Sequence, residues 1–318
     1  MKAMVYEKHG APDMLVFREV EKPIPDGNEV LVKIHAASVN AGDYRSMRMG
    51  SIPKKRIFGS DIAGVVEATG CNVLQFHPGD EVVGDISACG LGGFAEYVTV
   101  SEHVLVLKPA AISFEQAAAL PMAAVTALQA MRNKGEIKPG HRVLICGAGG
   151  GVGTFAVQLA KYFGAEVTAV CGSRNAELVR SLGADHIVDY TRDDFSKSEK
   201  RYDLVVAVNG CQPLSAYKRA LNTKGTAVIV GGALSQVIKA LLLGPFMSLG
   251  RRKVRVLAAK PNTKDLEFII KLVANGNIKP VVDKRYPLCE TGEAVRYLSE
   301  CHSRGKVIVN IVKAEKTT

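Results

Sequence analysis

The first third of the chain is built from short β-branched runs. "EVLVKIHAASV", "DIAGVVEATG", "DEVVGDI", "FAEYVTV" and "HVLVLKP" follow one another, broken by turn residues in "PDGN" and "HPGD". Such punctuation predicts a compact β-barrel-like domain. The period changes at Ser113, where "SFEQAAALPMAAVTALQAMRNKG" is Ala-rich and helical. Ser113 with Gln116 makes a capping box, and Pro121 divides the segment into two helices. From Arg142 strands and helices alternate. "RVLICGA", "EVTAVC", "HIVDY", "YDLVVAVNG", "GTAVIVGG" and "KVRVLAA" are strands, and "GTFAVQLAKYFG" and "NAELVRSLG" are helices. Near-continuous Val/Ile strands between helices predict a parallel, doubly wound α/β sheet, and six such strands make a full dinucleotide-binding domain. After Lys260 a helix, "PVVDKRYPL", another helix and "GKVIVNIV" return to the first domain. The expected division is 1–118 with 263–318, and 119–262.

Composition limits the class. A chain of 318 residues, 47% hydrophobic with 31 glycines, suits a globular protein of two domains. The opening "MKAMVYEKHGAP" lacks the apolar core of a secretory signal. No apolar run reaches the roughly 20 residues that span a bilayer. Seven scattered cysteines without CxxC spacing read as reduced thiols, which implies a cytoplasmic setting. The net charge of +10 is densest at Arg251-Arg252-Lys253 and Arg255. No nucleic-acid motif accompanies it, so the cluster reads as a solvated turn rather than a nucleic-acid patch.

The most informative stretch follows the strand at Arg142. Ala148-Gly149-Gly150-Gly151-Val152-Gly153 lies between a strand and a helix. Gly150 lets the backbone approach a pyrophosphate, Gly153 lets helix and strand pack closely, and the amides of the helix start, through Gly151 and Val152, hold the anion. An acid that would bind the 2′-hydroxyl of NAD is expected at the end of the second strand. This chain has Cys171-Gly172-Ser173-Arg174 there. A hydroxyl and a guanidinium suit a 2′-phosphate, so the expected cofactor is NADPH.

Taken in order, "GSDIAGVVEATG", "FHPGDEVVG", "GGFAEYVTV", "LPMAAVTALQAM", "GGVGTFAVQLAKYFGA", "SLGADHIVDY" and "RGKVIV" cover nearly the whole chain. They resemble the medium-chain dehydrogenase/reductase superfamily, which implies a GroES-like β-barrel domain beside a Rossmann domain. The zinc-dependent members have Gly-His-Glu where this chain has Gly59-Ser60-Asp61, and cysteines where it has Asn40 and, nearby, Met122. Zinc needs N or S ligands at tetrahedral spacing, so no metal site is expected. The insert "GPFMSLGRRKVRVLAAKPN" and the ending "CHSRGKVIV" look most like the quinone oxidoreductase branch, with chloroplast envelope quinone oxidoreductases and plant enone or alkenal reductases.

The resemblance implies an NADPH-dependent reductase of quinones or α,β-unsaturated carbonyls, monomeric or homodimeric. It puts Asn40, Tyr44 and Arg45 at the nicotinamide and substrate, as donors or a cation for a developing oxyanion. It puts Thr126 against the nicotinamide and adds Tyr190 to Ser173 and Arg174 at the 2′-phosphate. Gly231 and Gly232 give the nicotinamide room, and Lys306 reaches the cofactor from the returning segment. Asp43 and Asp61 are expected to be structural, and His302 is expected to have a surface role rather than to approach the cofactor. The segment "SQVIKALLLGPFMSLGRR" is either a buried helix and turn at a dimer contact, or a roof over an apolar pocket or a peripheral membrane contact. A zinc-free carbonyl or alcohol dehydrogenase and a non-catalytic NADPH-binding sensor or RNA-binding protein are the competing functions.

Overall fold

The computed structural model describes residues 1–7, 14–210, 212–232, 234–248, 250–300 and 303–312. Cys211, Cys301 and His302 lie outside them; the other five cysteines are free thiols. The chain forms two compact units. Unit 1 is Met1–Val125 with Pro261–Gly276 and Pro280–Thr318, and unit 2 is Thr126–Lys260 with Asn277–Lys279. The crossing into unit 2 falls inside a helix, Pro121–Leu128, and not at residue 118. A continuous helical period carries no mark of such a crossing. Asn277–Lys279 joins unit 2 because Gln158 brackets Lys279: its Oε1 accepts from the Lys279 amide at 2.8 Å and its Nε2 donates to the Lys279 carbonyl at 3.0 Å.

Unit 1 begins with an antiparallel pair, β1 (Lys2–Tyr6) and β2 (Leu15–Glu19). β3 (Glu29–Val39) leads into helix α1 (Ala41–Arg48). Strands β4 (Asp61–Thr69), β5 (Glu81–Asp85), β6 (Tyr97–Ser101) and β7 (Leu105–Leu107) follow, then helices α2 (Phe114–Ala118) and α3 (Pro121–Leu128). β3 organises the sheet. Its first half pairs with β6 and its second half with a returning strand described below, while β4 lies along the other side. A register shift between Ile34 and Ala36 bends it where the partner changes, as β-bulges do. The side chains inside this curve, among them Val30, Val32, Ile34, Ile62, Val82, Ile86 and Val100, form one buried cluster. The Ser113–Gln116 capping box is present, with Gln116 N–H donating to Ser113 Oγ and Ser113 N–H to Gln116 Oε1. Pro121 then opens α3, where a missing N–H leaves nothing unsatisfied.

Unit 2 holds β8 (Arg142–Cys146), α4 (Gly151–Tyr162), β9 (Glu166–Cys171), α5 (Ala176–Ser181), β10 (His186–Asp189), β11 (Tyr202–Val208), α6 (Leu214–Arg219), β12 (Leu221–Val230), α7 (Leu234–Met247) and β13 (Lys253–Leu257). Its sheet runs β10-β9-β8-β11-β12-β13, all parallel. The central strands are buried along almost their whole length, which explains runs such as "LVVAV" with no alternation. The strand order reverses between β8 and β11. In open α/β sheets that switch point is where ligands bind, at the carboxyl ends of the strands. The chain then re-enters unit 1 through α8 (Thr263–Ala274), β14 (Val282–Pro287), α9 (Thr291–Ser299) and β15 (Lys306–Asn310), the strand that pairs with β3. No helix among the described residues is long and apolar enough to cross a membrane.

Gly64 lies on β4 opposite the bulge in β3. A Cβ there would sit 2.2 Å from the Lys33 carbonyl oxygen. Gly64→Ala is therefore expected to destabilise the fold by about 3 kcal/mol, at the upper end for a point substitution, measurable by urea unfolding.

Candidate functional site

In unit 2 the glycine loop connects the end of β8 to the start of α4. Gly147 turns with φ +75°, and a Cβ on Gly153 would stand 2.1 Å from the Gly147 carbonyl oxygen. Only glycine lets helix and strand approach this closely. α4 starts from Gly150, which brings no capping side chain. The first-turn amides of Gly151, Val152 and Gly153 have no partner one turn back, and the helix dipole adds positive potential there. A Cβ on Gly150 would meet nothing nearer than the Gly147 oxygen at 3.7 Å, so the approach is clear. Asn175 supplies a second, independent sign. Its buried Oδ1 has no hydrogen-bond partner, and its side chain lies against Gly149. A buried acceptor of this kind needs a donor. Phosphate diesters offer none and ribose hydroxyls do, so the loop fits a dinucleotide. Sequence reading missed Asn175, whose type alone carries no signal.

The residues expected at the 2′-phosphate come together in space. Ser173 and Arg174 are exposed just beyond β9, and Tyr190 is 65% exposed at the end of β10 with its hydroxyl over Gly172. Parallel pairing of β9 with β10 sets Cys171 opposite Asp189. An acid, absent from the end of β9, thus arrives from the next strand. Asp189 accepts from Ser173 Oγ, from the Thr191 amide at 3.0 Å and from Thr191 Oγ1 at 2.8 Å. The Ser173 hydroxyl and these donors hold its carboxyl below the usual range. Gly231 and Gly232 end β12 with φ of +64° and +120°, on the same carboxyl edge of the sheet as the glycine loop. Thr126 is buried on α3.

In unit 1 the ends of four strands meet. Ser38 on β3 is opposite Asp61 on β4, which is opposite Asp85 on β5, and Lys306 opens β15 on the other side of β3. Asp61 is fully buried and Lys306 is 3% exposed. Lys306 Nζ donates to Asn40 Oδ1 at 2.5 Å and lies 3.6 Å from Asp61 Oδ2. Asn40 Nδ2 donates to Asp61 Oδ2 at 2.9 Å and to Ser60 Oγ at 3.3 Å. Ser38 Oγ donates to Asp61 Oδ2 at 2.9 Å, and the Met122 amide, at the start of α3, donates to Asp61 Oδ1 at 3.1 Å. Burial pushes the Asp61 carboxyl up and the Lys306 ammonium down, and their mutual attraction opposes both shifts.

This cluster fixes the surroundings of several expected site residues. Lys306, expected at the cofactor, has its ammonium enclosed in unit 1 beside the buried Asp61. Asn40 is not an open donor, since both ends of its carboxamide are held. Tyr44 is buried in an apolar cluster with Met47 and Phe58, with the guanidinium carbons of Arg45 and Arg48 5.7 and 5.5 Å from its ring centre. Arg45 is half-buried on α1. Asp43 is structural: its carboxylate accepts from the Asn40 amide at 2.7 Å and the Gly59 amide at 3.3 Å.

Removing the ammonium would leave buried carboxyls uncompensated. Lys306→Met should lower stability by about 3–5 kcal/mol, and adding Asp61→Asn should restore most of the loss in urea unfolding. Burial, aided by the Asp61 charge, raises Asp43 to about 7 and Asp85 to about 6. Between the ordinary carboxyl range and these values the folded state binds more protons than the unfolded state, so these groups make stability fall as pH rises through that window. Asp43→Asn should flatten the decline of Tm between pH 5 and pH 8; an unchanged slope would contradict the assignment.

Residues 26–110 match the alcohol dehydrogenase GroES-like domain, and residues 182–309 match the zinc-binding dehydrogenase family. The chain is 36% identical to the chloroplast envelope quinone oxidoreductase homolog of Arabidopsis thaliana, over 97% of this chain and 98% of that protein. It is 34% identical to the 2-methylene-furan-3-one reductase of Solanum lycopersicum, over 98% of this chain and 79% of that protein. The solved quinone oxidoreductase from Coxiella burnetii superposes with a TM-score of 0.90 at 30% identity, covering 98% of this chain and 99% of that one. With near-complete coverage at this identity, and with the two-unit fold and glycine loop in place, the chain belongs to the medium-chain dehydrogenase/reductase superfamily, alongside the quinone oxidoreductases.

Proposed function

We propose that this protein is a zinc-independent oxidoreductase that uses NADPH to reduce a quinone or the C=C bond of an α,β-unsaturated carbonyl. The donor chemistry of the unit 1 cluster carries this reading. Asn40 and Ser60, where zinc-dependent members of the superfamily have ligands, offer a carboxamide and a hydroxyl. The Lys306 ammonium, 2.5 Å from Asn40 Oδ1, adds a positive charge that a divalent cation would have to oppose. Alcohol oxidation relies on a Lewis acid to lower the alcohol's pKa. Reduction of an activated double bond or a quinone needs only a cation or donors at the developing oxyanion. The two acceptor classes are those named for the Arabidopsis and tomato relatives.

In this reading the amides of Gly151, Val152 and Gly153 hold the pyrophosphate, and Ser173, Arg174 and Tyr190 hold the 2′-phosphate. Asn175 Oδ1 accepts from a ribose hydroxyl. Thr126, Gly231 and Gly232 shape the nicotinamide end of the site. The nicotinamide, once bound, supplies the hydride. Arg45 is the cation on α1 that offsets charge on the acceptor oxygen, and water supplies the proton. The Lys306–Asn40–Asp61 cluster acts by holding the start of α1, and with it Arg45, in place.

Asp189 favours a second reading of the cofactor. Its ionised carboxylate beside Ser173 would accept from the free 2′-hydroxyl of NADH and oppose a 2′-phosphate. The two are separated by Arg174→Ala. If NADPH is the cofactor, the variant should weaken NADPH binding by about tenfold or more, the effect of a lost charge-assisted bond, and leave NADH binding unchanged. Equal, small effects on both would assign NADH. Oxidation of the preferred dinucleotide with a short-chain enone or a naphthoquinone, with product analysis, then identifies the acceptor. Tight binding without turnover on either acceptor would point to a sensor instead of a reductase.

A further inference from the structure

Helix α7 presents its apolar face to solvent. Ile238, Leu241, Leu242, Pro245 and Phe246 recur at the spacing of one helical face. Leu241, Leu242 and Phe246 are 58%, 66% and 71% exposed. The opposite face packs into unit 2: Ala240 is buried in the core cluster with Ile229 and Val254, and Met247 lies against it. The end of the helix is tied to β13, where Ser248 Oγ donates to the Val254 carbonyl at 3.1 Å and accepts from the Val254 amide at 2.9 Å. The helix is therefore seated on the sheet with its usual pattern reversed. A helix covered only by water would carry polar residues at these outer positions. The expectation of a buried helix does not hold within this chain.

The charge around this face is equally unusual. From Leu204 to Lys264 there is no Asp or Glu, and the same 61 residues hold 10 Lys and Arg. The whole net charge of +10 therefore belongs to this segment, and the rest of the chain is neutral in formal charge. Lys239 is exposed on α7, and Arg251 and Lys253 are exposed just after it, with Arg252 half-buried between them. A protruding apolar strip with a basic rim matches an anionic lipid surface, where side chains such as Leu and Phe enter the headgroup boundary and Lys and Arg meet lipid phosphates. A second copy fits less well. A two-fold contact through α7 sets the same surface against itself, and this stretch has no acid to offset the paired basic rims.

We infer that α7, with Lys239 and Arg251–Lys253, is a docking surface for an anionic bilayer, on which the protein rests peripherally without crossing it. This is independent of the acceptor and of the choice between NADPH and NADH. The test is flotation of the full chain with vesicles of phosphatidylcholine alone and of phosphatidylcholine mixed with phosphatidylglycerol. Binding is expected only to the anionic vesicles and should weaken as salt rises. Each basic side chain at such a surface strengthens binding about fivefold, so Arg251→Glu/Arg252→Glu should weaken it by well over tenfold. Leu242→Glu/Phe246→Glu should abolish it. Both pairs have exposed or half-exposed side chains, so Tm and the circular dichroism spectrum should stay as in the native protein. Equal binding to neutral vesicles, or none to anionic ones, overturns the proposal. So does a native dimer in sedimentation velocity that Leu242→Glu/Phe246→Glu converts to a monomer while vesicles bind neither form; that result would give the face to a second copy.

Discussion

The buried ion pair between Lys306 and Asp61 is the constraint on which the architecture of unit 1 turns. An ammonium and a carboxylate removed from water each lose several kcal/mol of solvation, and only mutual attraction and a full set of hydrogen bonds recover it. Here the set is contributed by distant parts of the chain. Lys306 comes from the last strand, Ser38 from the third, Asn40 from the start of α1, Asp61 from the fourth strand, and the Met122 amide from the start of α3. The Lys306–Asn40 bond joins residues 266 positions apart. These elements meet around one buried pair, so the cluster reinforces the register that the buried apolar faces of the strands already specify.

The same cluster ties separate turns of unit 1 together. Asn40 and Ser60 are neighbours at 3.3 Å. The polar atoms at those positions bond one another and the Lys306 ammonium. Asn40 also begins α1, and its amide is held by Asp43. Whatever positions the carboxamide of Asn40 therefore positions the helix carrying Tyr44 and Arg45.

Unit 2 works by a different principle. Its site is made of backbone at the carboxyl edge of a parallel sheet, where β8 and β11 diverge. Glycine at 153 is required by close approach to the Gly147 carbonyl oxygen, a local demand, and glycine at 147 by the Val208 carbonyl oxygen of β11. The opposing demand is made by neighbours. Asp189 and Asn175 reach the site from β10 and from the turn before α5, and each adds a polar atom that the glycine loop does not announce.

This contrast divides what could be read from the chain alone from what could not. The α/β alternation, the parallel sheet, the Ser113 capping box and the glycine loop were legible, because each depends on residues within a few positions of one another: helical and strand periods, caps and tight turns are local physics. The set Ser173, Arg174 and Tyr190 was proposed through resemblance to a family. The acid at Asp189 was hidden because parallel pairing, not spacing, brings it to Ser173. The crossing between units was hidden within one helix. Lys306 looked like a basic residue on a returning segment, and only the assembled sheet shows that it neutralises Asp61. The outward apolar face of α7 reads in sequence as a core helix, since period reports that a helix is two-faced but not which face meets the protein. Local periodicity and turn chemistry therefore determined the elements and the glycine loop. Long-range pairing decided which charges are buried together and which apolar surface remains outside, because those depend on neighbours far away along the chain.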